Sequence, residues 1–167
     1  MKKKESKMKK EEKTNVMRVL DAKKISYQSH NYVDSGAISG TEVAKALGQN
    51  PDAVFKTLVT VSKAKKYYVF LVPVEKELDL KKAAACAGEK KIEMLKAKEL
   101  LGLTGYIHGG CSPIGMKKAF PTYIHATAAG LPFIYVSAGV RGLQLKVAPS
   151  DLAACVRATF AEISRKG

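Results

Sequence analysis

The sequence predicts an α+β fold: a single domain in which one curved, mixed β-sheet, barrel-like and nearly closed, is flanked by helices. Three observations predict it. Segments with strand character outnumber helical ones. They do not alternate as strict strand-helix-strand units, so a parallel doubly wound sheet is not expected. No internal repeat and no Pro/Gly/Ser-rich linker divides the 167 residues, a length that supports one buried core.

Residues 1–13 are polar, charged and without apolar periodicity, and read as a disordered basic tail; residues 14–167 read as the folded domain. Thr14 or Asn15 can cap a helix, "VMRVLDAKK", that sets Val16, Val19 and Leu20 on one face. "ISYQSHNYV" alternates like a strand, "DSGAISG" is a loop, and "TEVAKALG" is a short helix stopped by Gly48. "AVFKTLVTV" and "YYVFLVPV", on either side of the polar turn "SKAKK", form a hairpin. "LDLKKAAACAG" is a helix ending at Gly88, "KIEML" a strand, and "KAKELLG" a helix ending at Gly102. Four further strands follow, "GYIHGG", "TYIHATA", "PFIYVSAG" and "GLQLKVA". A last helix, "DLAACVRATFAEISRK", is capped by Ser150 and carries the stripe Leu152, Val156, Phe160 and Ile163.

A chain 46% hydrophobic and 26% charged is ordinary for a soluble globular protein. No apolar run approaches the ~18 residues of a membrane helix, so no membrane partner is expected. The basic start is followed by "TNVMRVLDAKK", too short and charged for the apolar core of an export signal. Cys86, Cys111 and Cys155 are odd in number and far apart, which fits free thiols in a reducing cytoplasm. Net charge is +14; residues 2–13 hold seven lysines against three glutamates, leaving +10 on the domain. That excess points to a polyanionic partner, nucleic acid before an anionic membrane surface, with simple solubility as the alternative.

Candidate chemistry concentrates in a few places. Lys56 shares a strand face with Val54 and Leu58, either as an edge lysine reaching water or at a pocket mouth, meeting a phosphate or a polarised carbonyl. In "GGCSP", Gly109 and Gly110 let backbone approach a ligand, Pro113 fixes the exit, and consecutive N–H groups can face an oxyanion, although an ordinary turn has the same composition. Cys111 could act as a nucleophile with His108 or His125, or the three could bind zinc. No protease-like surroundings support the first and "HGGC" is half a zinc site, so Cys111 reads as a semi-buried loop residue and no metal is expected. "KAKKYYVF" mixes basic and aromatic residues as a single-strand-binding surface does, or is a hairpin turn entering a core strand. Lys117 and Lys118 could track a phosphate backbone, and Arg141 in "GVRGL" could grip a phosphate or cap a hairpin. There is no P-loop and no G-x-G-x-x-G, so no nucleotide cofactor is expected.

"VFKTL" at 54–58, "GYIHGGCSPIGMKKAFPTYI" at 105–124 and "IYVSAGVRGLQL" at 134–145 together resemble the YbaK/EbsC family, over about residues 15 to 165. That resemblance implies a compact α+β domain related to the editing insertion of bacterial prolyl-tRNA synthetases. It implies hydrolysis of the ester joining a wrong amino acid to tRNA, without cofactor. It implies Lys56 as the essential lysine, with Gly109, Gly110, Ser112 and Pro113 forming the catalytic loop. Tyr32, Cys111, Ser137, Arg141 and His125 fall at substrate-binding positions, His125 where relatives commonly carry an aspartate. The leading expectation is a Cys-tRNA(Pro) deacylase in which the substrate thiol attacks its own ester, releasing a thiolactone. The alternatives are an Ala-tRNA(Pro) deacylase, a non-catalytic tRNA-binding adaptor and a protein-interaction module. The expected partners are the acceptor end of aminoacyl-tRNA and prolyl-tRNA synthetase, and the expected state is a monomer.

Overall fold

The computed structural model describes residues 13–165; the basic tail expected over residues 1–13 lies, except for Lys13, outside the described residues. Helix α1 (Asn15–Ala22) starts where Thr14 Oγ1 accepts the Met17 N–H, and it buries Val16, Met17 and Leu20. Strand β1 (Tyr27–Asn31) leads through a 3-10 turn to α2 (Gly40–Ala46). A capping box opens α2: Ser39 Oγ accepts from Glu42 N–H while the Glu42 carboxylate accepts from Ser39 N–H. Then come β2 (Phe55–Ser62), β3 (Tyr67–Pro73), α3 (Leu80–Ala87), β4 (Ile92–Met94) and α4 (Ala97–Thr104). The chain closes with β5 (Thr122–His125), β6 (Ile134–Ser137), β7 (Leu143–Val147), α5 (Pro149–Val156) and β8 (Thr159–Ala161).

The strands form a five-stranded sheet, β4-β2-β3-β5-β8, and a three-stranded one, β1-β7-β6. Pairing is parallel at β3–β5 and β5–β8 and antiparallel elsewhere. A lone bridge, Val54 to Tyr135, joins the two sheets, so the single curved sheet expected from sequence is divided at the entrance to β2. Phe55, Val59, Leu71 and Ile124 of the larger sheet pack with Ile134, Val136, Leu145 and Val147 of the smaller. The opposite face of the larger sheet, Tyr68, Phe70 and Val72, packs on Ala83 and Ala84 of α3 and on Ile163. Burial on both faces explains why β3 reads as an unbroken apolar run rather than an alternating one.

Three elements depart from the sequence reading. "GYIHGG" is a loop, because Gly105 and Gly109 take positive φ (87° and 85°) and Tyr106 turns inward to donate its hydroxyl to the Ile114 carbonyl. Helix α4 runs past Gly102 to Thr104, with Gly105 as its left-handed cap. The final helix begins at Pro149, after Ala148 rather than Ser150, and stops at Val156 because Arg157 adopts left-handed backbone (φ 55°). Thr159–Ala161 instead extend the sheet edge beside β5, where β-forming Thr159 and Phe160 satisfy β5's backbone groups.

His125, at the end of β5, is fixed by these last residues: Nδ1 accepts the Ile163 N–H at 3.3 Å and Nε2 lies 3.3 Å from Ser164 Oγ. Burial lowers its pKa, with Glu162 opposing and Lys76 and Lys82 adding to the fall. A depressed histidine contributes stability that is present above the unfolded-state value, 6.5, and is lost as pH falls through it. Tm is therefore expected to drop between pH 7.5 and 5.5, His30 adding in the same direction since burial lowers it too. In His125→Asn the drop should be shallower; an unchanged Tm–pH slope would remove His125 as a source.

Candidate active site

A cavity of about 400 Å³ opens between α2, the first half of β2, the loop around Gly109 and the strands β6 and β7. Lys56 projects into it from β2, half-buried. Its Nζ donates to the Val74 carbonyl at 3.5 Å, a long contact for a group with three donors. Desolvation lowers its pKa, opposed by the charge of Glu77. The lysine is thus a half-buried cation at a concave surface, with no ion-pair partner among the described residues.

Of the loop Gly109–Pro113, Gly109 and Cys111 line the cavity. Gly110 N–H already donates to the Ile107 carbonyl, Ser112 is fully buried with Oγ accepting the Ile114 N–H, and Pro113 faces a second, smaller hollow. The glycine pair is demanded by packing. A Cβ on Gly109 would lie 2.9 Å from Arg141 Nε, and one on Gly110 3.1 Å from the backbone of Val140 and Arg141. Arg141 Nε donates to the His108 carbonyl at 2.9 Å, so this arginine ties the loop to the β6–β7 turn. Cys111 is buried, and burial pushes its thiol up to about 12, so it remains a thiol at neutral pH.

Tyr32 and Ser137 line the cavity; Tyr32 N–H donates to Gly142 O at 2.8 Å and Ser137 Oγ accepts the Gly139 N–H. His125 does not. The expectation that it meets substrate is corrected by its place beyond the core of the larger sheet, where Ile163 and Ser164 occupy both ring nitrogens.

Other residues escaped the sequence reading. Gln144, 3% exposed, lines the cavity and exchanges two amide hydrogen bonds with Gln49, at 2.8 and 2.9 Å. In "LQLKV" period 2 sets it opposite Leu143 and Leu145, on a side that reads as solvent. Thr57 also lines the cavity, and its Oγ1 is buried with no hydrogen-bond partner among the described residues. Gly40 begins α2 against Val74, whose Cγ1 a Cβ would meet at 2.2 Å. Gly40→Ala is expected to cost about 1–3 kcal/mol, the usual range for overpacking, as read by denaturant titration; no loss would mean α2 can move away from the cavity.

Comparison with known proteins identifies the family of the chain. Residues 35–155 match the family model for the aminoacyl-tRNA editing domain, a span that holds Lys56, the Gly109 loop and Ser137. An Enterococcus faecalis protein, EbsC, described as a proposed Cys-tRNA(Pro)/Cys-tRNA(Cys) deacylase, is 45% identical over 96% of this chain and 99% of its own. Two solved structures share the fold. One is a trans-editing enzyme proposed for prolyl tRNA synthetase, with TM-score 0.78, 24% identity and coverage of 92% of this chain and 99% of its own. The other is hypothetical protein APE2540, with TM-score 0.82, 21% identity and coverage of 91% and 100%. With the family model covering most of the folded residues and a relative matched end to end, the chain belongs to the YbaK/EbsC family of aminoacyl-tRNA editing domains.

Proposed function

We propose that the cavity receives the aminoacyl ester at the 3′ end of mischarged tRNA, Cys-tRNA(Pro) first, and that the protein cleaves it in trans. The observation that carries this reading is that half-buried Lys56 and the loop residues Gly109 and Cys111 line one cavity of about 400 Å³. Its size suits an amino acid and the ribose that bears it. The name of the 45% identical relative supports the choice of amino acid and tRNA.

An ester of tRNA is already activated, so the site must orient it and stabilise the oxyanion; no enzyme nucleophile is required. The Cys111 thiol, protonated in its buried setting, is poorly suited to attack. For a cysteinyl substrate, the substrate sulfur attacks the ester carbon. Collapse of the tetrahedral intermediate then expels the ribose hydroxyl and leaves cysteine thiolactone, which water opens. The donors we assign to the oxyanion are the amides of Gly109 and Cys111, the two loop residues that border the cavity. Lys56 anchors the ribose–phosphate end, and the unpartnered hydroxyl of Thr57 has a ligand group as its natural acceptor.

The same cavity could serve Ala-tRNA(Pro), where no substrate thiol exists and water must attack. The adaptor reading rested on His125 replacing a carboxylate at the substrate, and His125 lies elsewhere. Prolyl-tRNA synthetase stays the proposed protein partner.

Deacylation of Cys-tRNA(Pro) and Ala-tRNA(Pro) tests this directly. Wild type is expected to clear the cysteinyl substrate faster. Lys56→Ala should lose about 10²-fold in kcat/KM, the scale of misplacing a reacting group, with Tm retained. Near wild-type turnover in that variant would remove Lys56 from the site. Cys111→Ser is expected to stay within a few-fold of wild type; a thousandfold loss would restore the cysteine as nucleophile.

A further inference from the structure

Outside the cavity, basic and aromatic side chains gather along one continuous path. It begins in the second hollow, about 230 Å³, whose wall includes Pro113, Met116, Phe120, Lys118 and Arg157. That hollow adjoins the first cavity in the chain: Cys111 lines one, Pro113 the other, and fully buried Ser112 stands between them. Among the described residues no acidic side chain lines it. Arg157 holds left-handed backbone there, and both it and Lys118 are exposed.

From the hollow the path runs over an edge-to-face aromatic pair. The rings of Phe120 and Tyr67 lie 5.7 Å apart at 62°, both half-buried. Tyr67 opens β3 next to the β2–β3 turn, where Lys63, Lys65 and Lys66 are all exposed. The turn is rigidly built: Ser62 bonds Lys66 twice through backbone and side chain, Lys65 takes φ 64°, and Lys63 N–H donates to the Lys91 carbonyl. Cations spaced between half-exposed aromatic faces suit a flexible polyanion with stackable bases, which is single-stranded nucleic acid. Aromatic residues serve protein interfaces as well, so loss of a protein partner alone is a distinct outcome of the test.

We propose that Arg157, Lys118, the Phe120–Tyr67 pair and Lys63, Lys65 and Lys66 form a track that carries the nucleotides of the tRNA acceptor strand preceding the esterified one. The proposal rests on the editing function proposed above for the identity of the RNA. The hollow and the cavity border the same loop, Gly109–Pro113, so the hollow would take a nucleotide close to the esterified one, and the lysine turn would meet phosphates farther along.

The test uses full-length protein and two variants, Lys118→Gln/Arg157→Asn and Lys63→Gln/Lys65→Gln/Lys66→Gln; asparagine is chosen at 157 because it tolerates left-handed backbone. Binding of uncharged tRNA is read across salt concentrations, and cleavage is read on Cys-tRNA(Pro) and on cysteinyl-adenosine, which reaches only the cavity. Each lost phosphate contact should lower the log–log salt slope by about 0.7–0.9, with tRNA affinity at least tenfold weaker in each variant. Cleavage of cysteinyl-adenosine should stay at the wild-type rate. Unchanged tRNA affinity and salt slope in both variants would overturn the track, even if association with a protein were lost. If wild type cleaves neither substrate, the editing reading fails, while the salt slope on uncharged tRNA still decides the track.

Discussion

Seven consecutive pairs, from Phe55 opposite Pro73 to Val61 opposite Tyr67, set the register of β2 against β3, and the rest of the molecule is arranged around them. β2 also pairs with β4, β3 with β5, and the residue before β2 bridges to Tyr135 of the smaller sheet. The register fixes which side chains meet the core: Phe55 and Val59 face the smaller sheet, while Leu58 packs with Phe70 and Val72. Side chains alternate along a strand, so a slip of one residue would exchange the two sets. Lys56 would then be driven among Ile124, Ile134 and Val136, and the cost of a buried unpaired ammonium forbids it. One ladder thus determines both the stability of the sheet and the position of Lys56.

The opposite wall of the cavity is held by backbone contacts. The Gly109 loop and the β6–β7 turn touch main chain to main chain, and Arg141 bonds the His108 carbonyl across the seam. Tyr106 supports the loop from beneath through the Ile114 carbonyl, with Gly139 and Gly115 close against its ring and hydroxyl. A wall tied by main-chain packing, the Arg141 guanidinium and the Tyr106 hydroxyl would hold the amide directions that the proposed oxyanion site requires. It also accounts for a cysteine in this loop: Cys111 fills volume, and its thiol is kept protonated by burial.

The strands and most helices were legible because their signals are local. Thr14, Ser39 with Glu42, and Gly88 mark helix ends through hydrogen bonds within a few residues. The misread segments are those where a distant contact decides. "GYIHGG" alternates like a strand until Tyr106 finds Ile114, and "VRATFAEI" continues a helical stripe until β5 offers an edge. The site divides the same way. Lys56 was visible as a lysine out of place in an apolar strand. Gln144 was invisible because its partner, Gln49, is 95 residues away, and Thr57 because an unsatisfied hydroxyl has no sequence signature. His125 drew attention as a histidine beside the key motif, yet both its partners come from the last residues of the domain.

The electrostatics separate binding from chemistry. Among the described residues most of the positive charge sits on exposed lysines, where salt screens it and where it can attract a polyanion from any direction. Lys56 differs because it is desolvated and finds one long contact to a carbonyl, so its charged form is disfavoured until something negative arrives. A neutral ester offers such a cation little; a phosphate or a developing oxyanion offers a partner where solvent screening is weak. The penalty of burying Lys56 is therefore relieved by an anion that reaches it, and in the proposed function that anion is the phosphate beside the esterified ribose. Such a contact would position the ester for attack. The same lysine on the outer face of the sheet would lengthen the basic surface and contribute nothing of this kind.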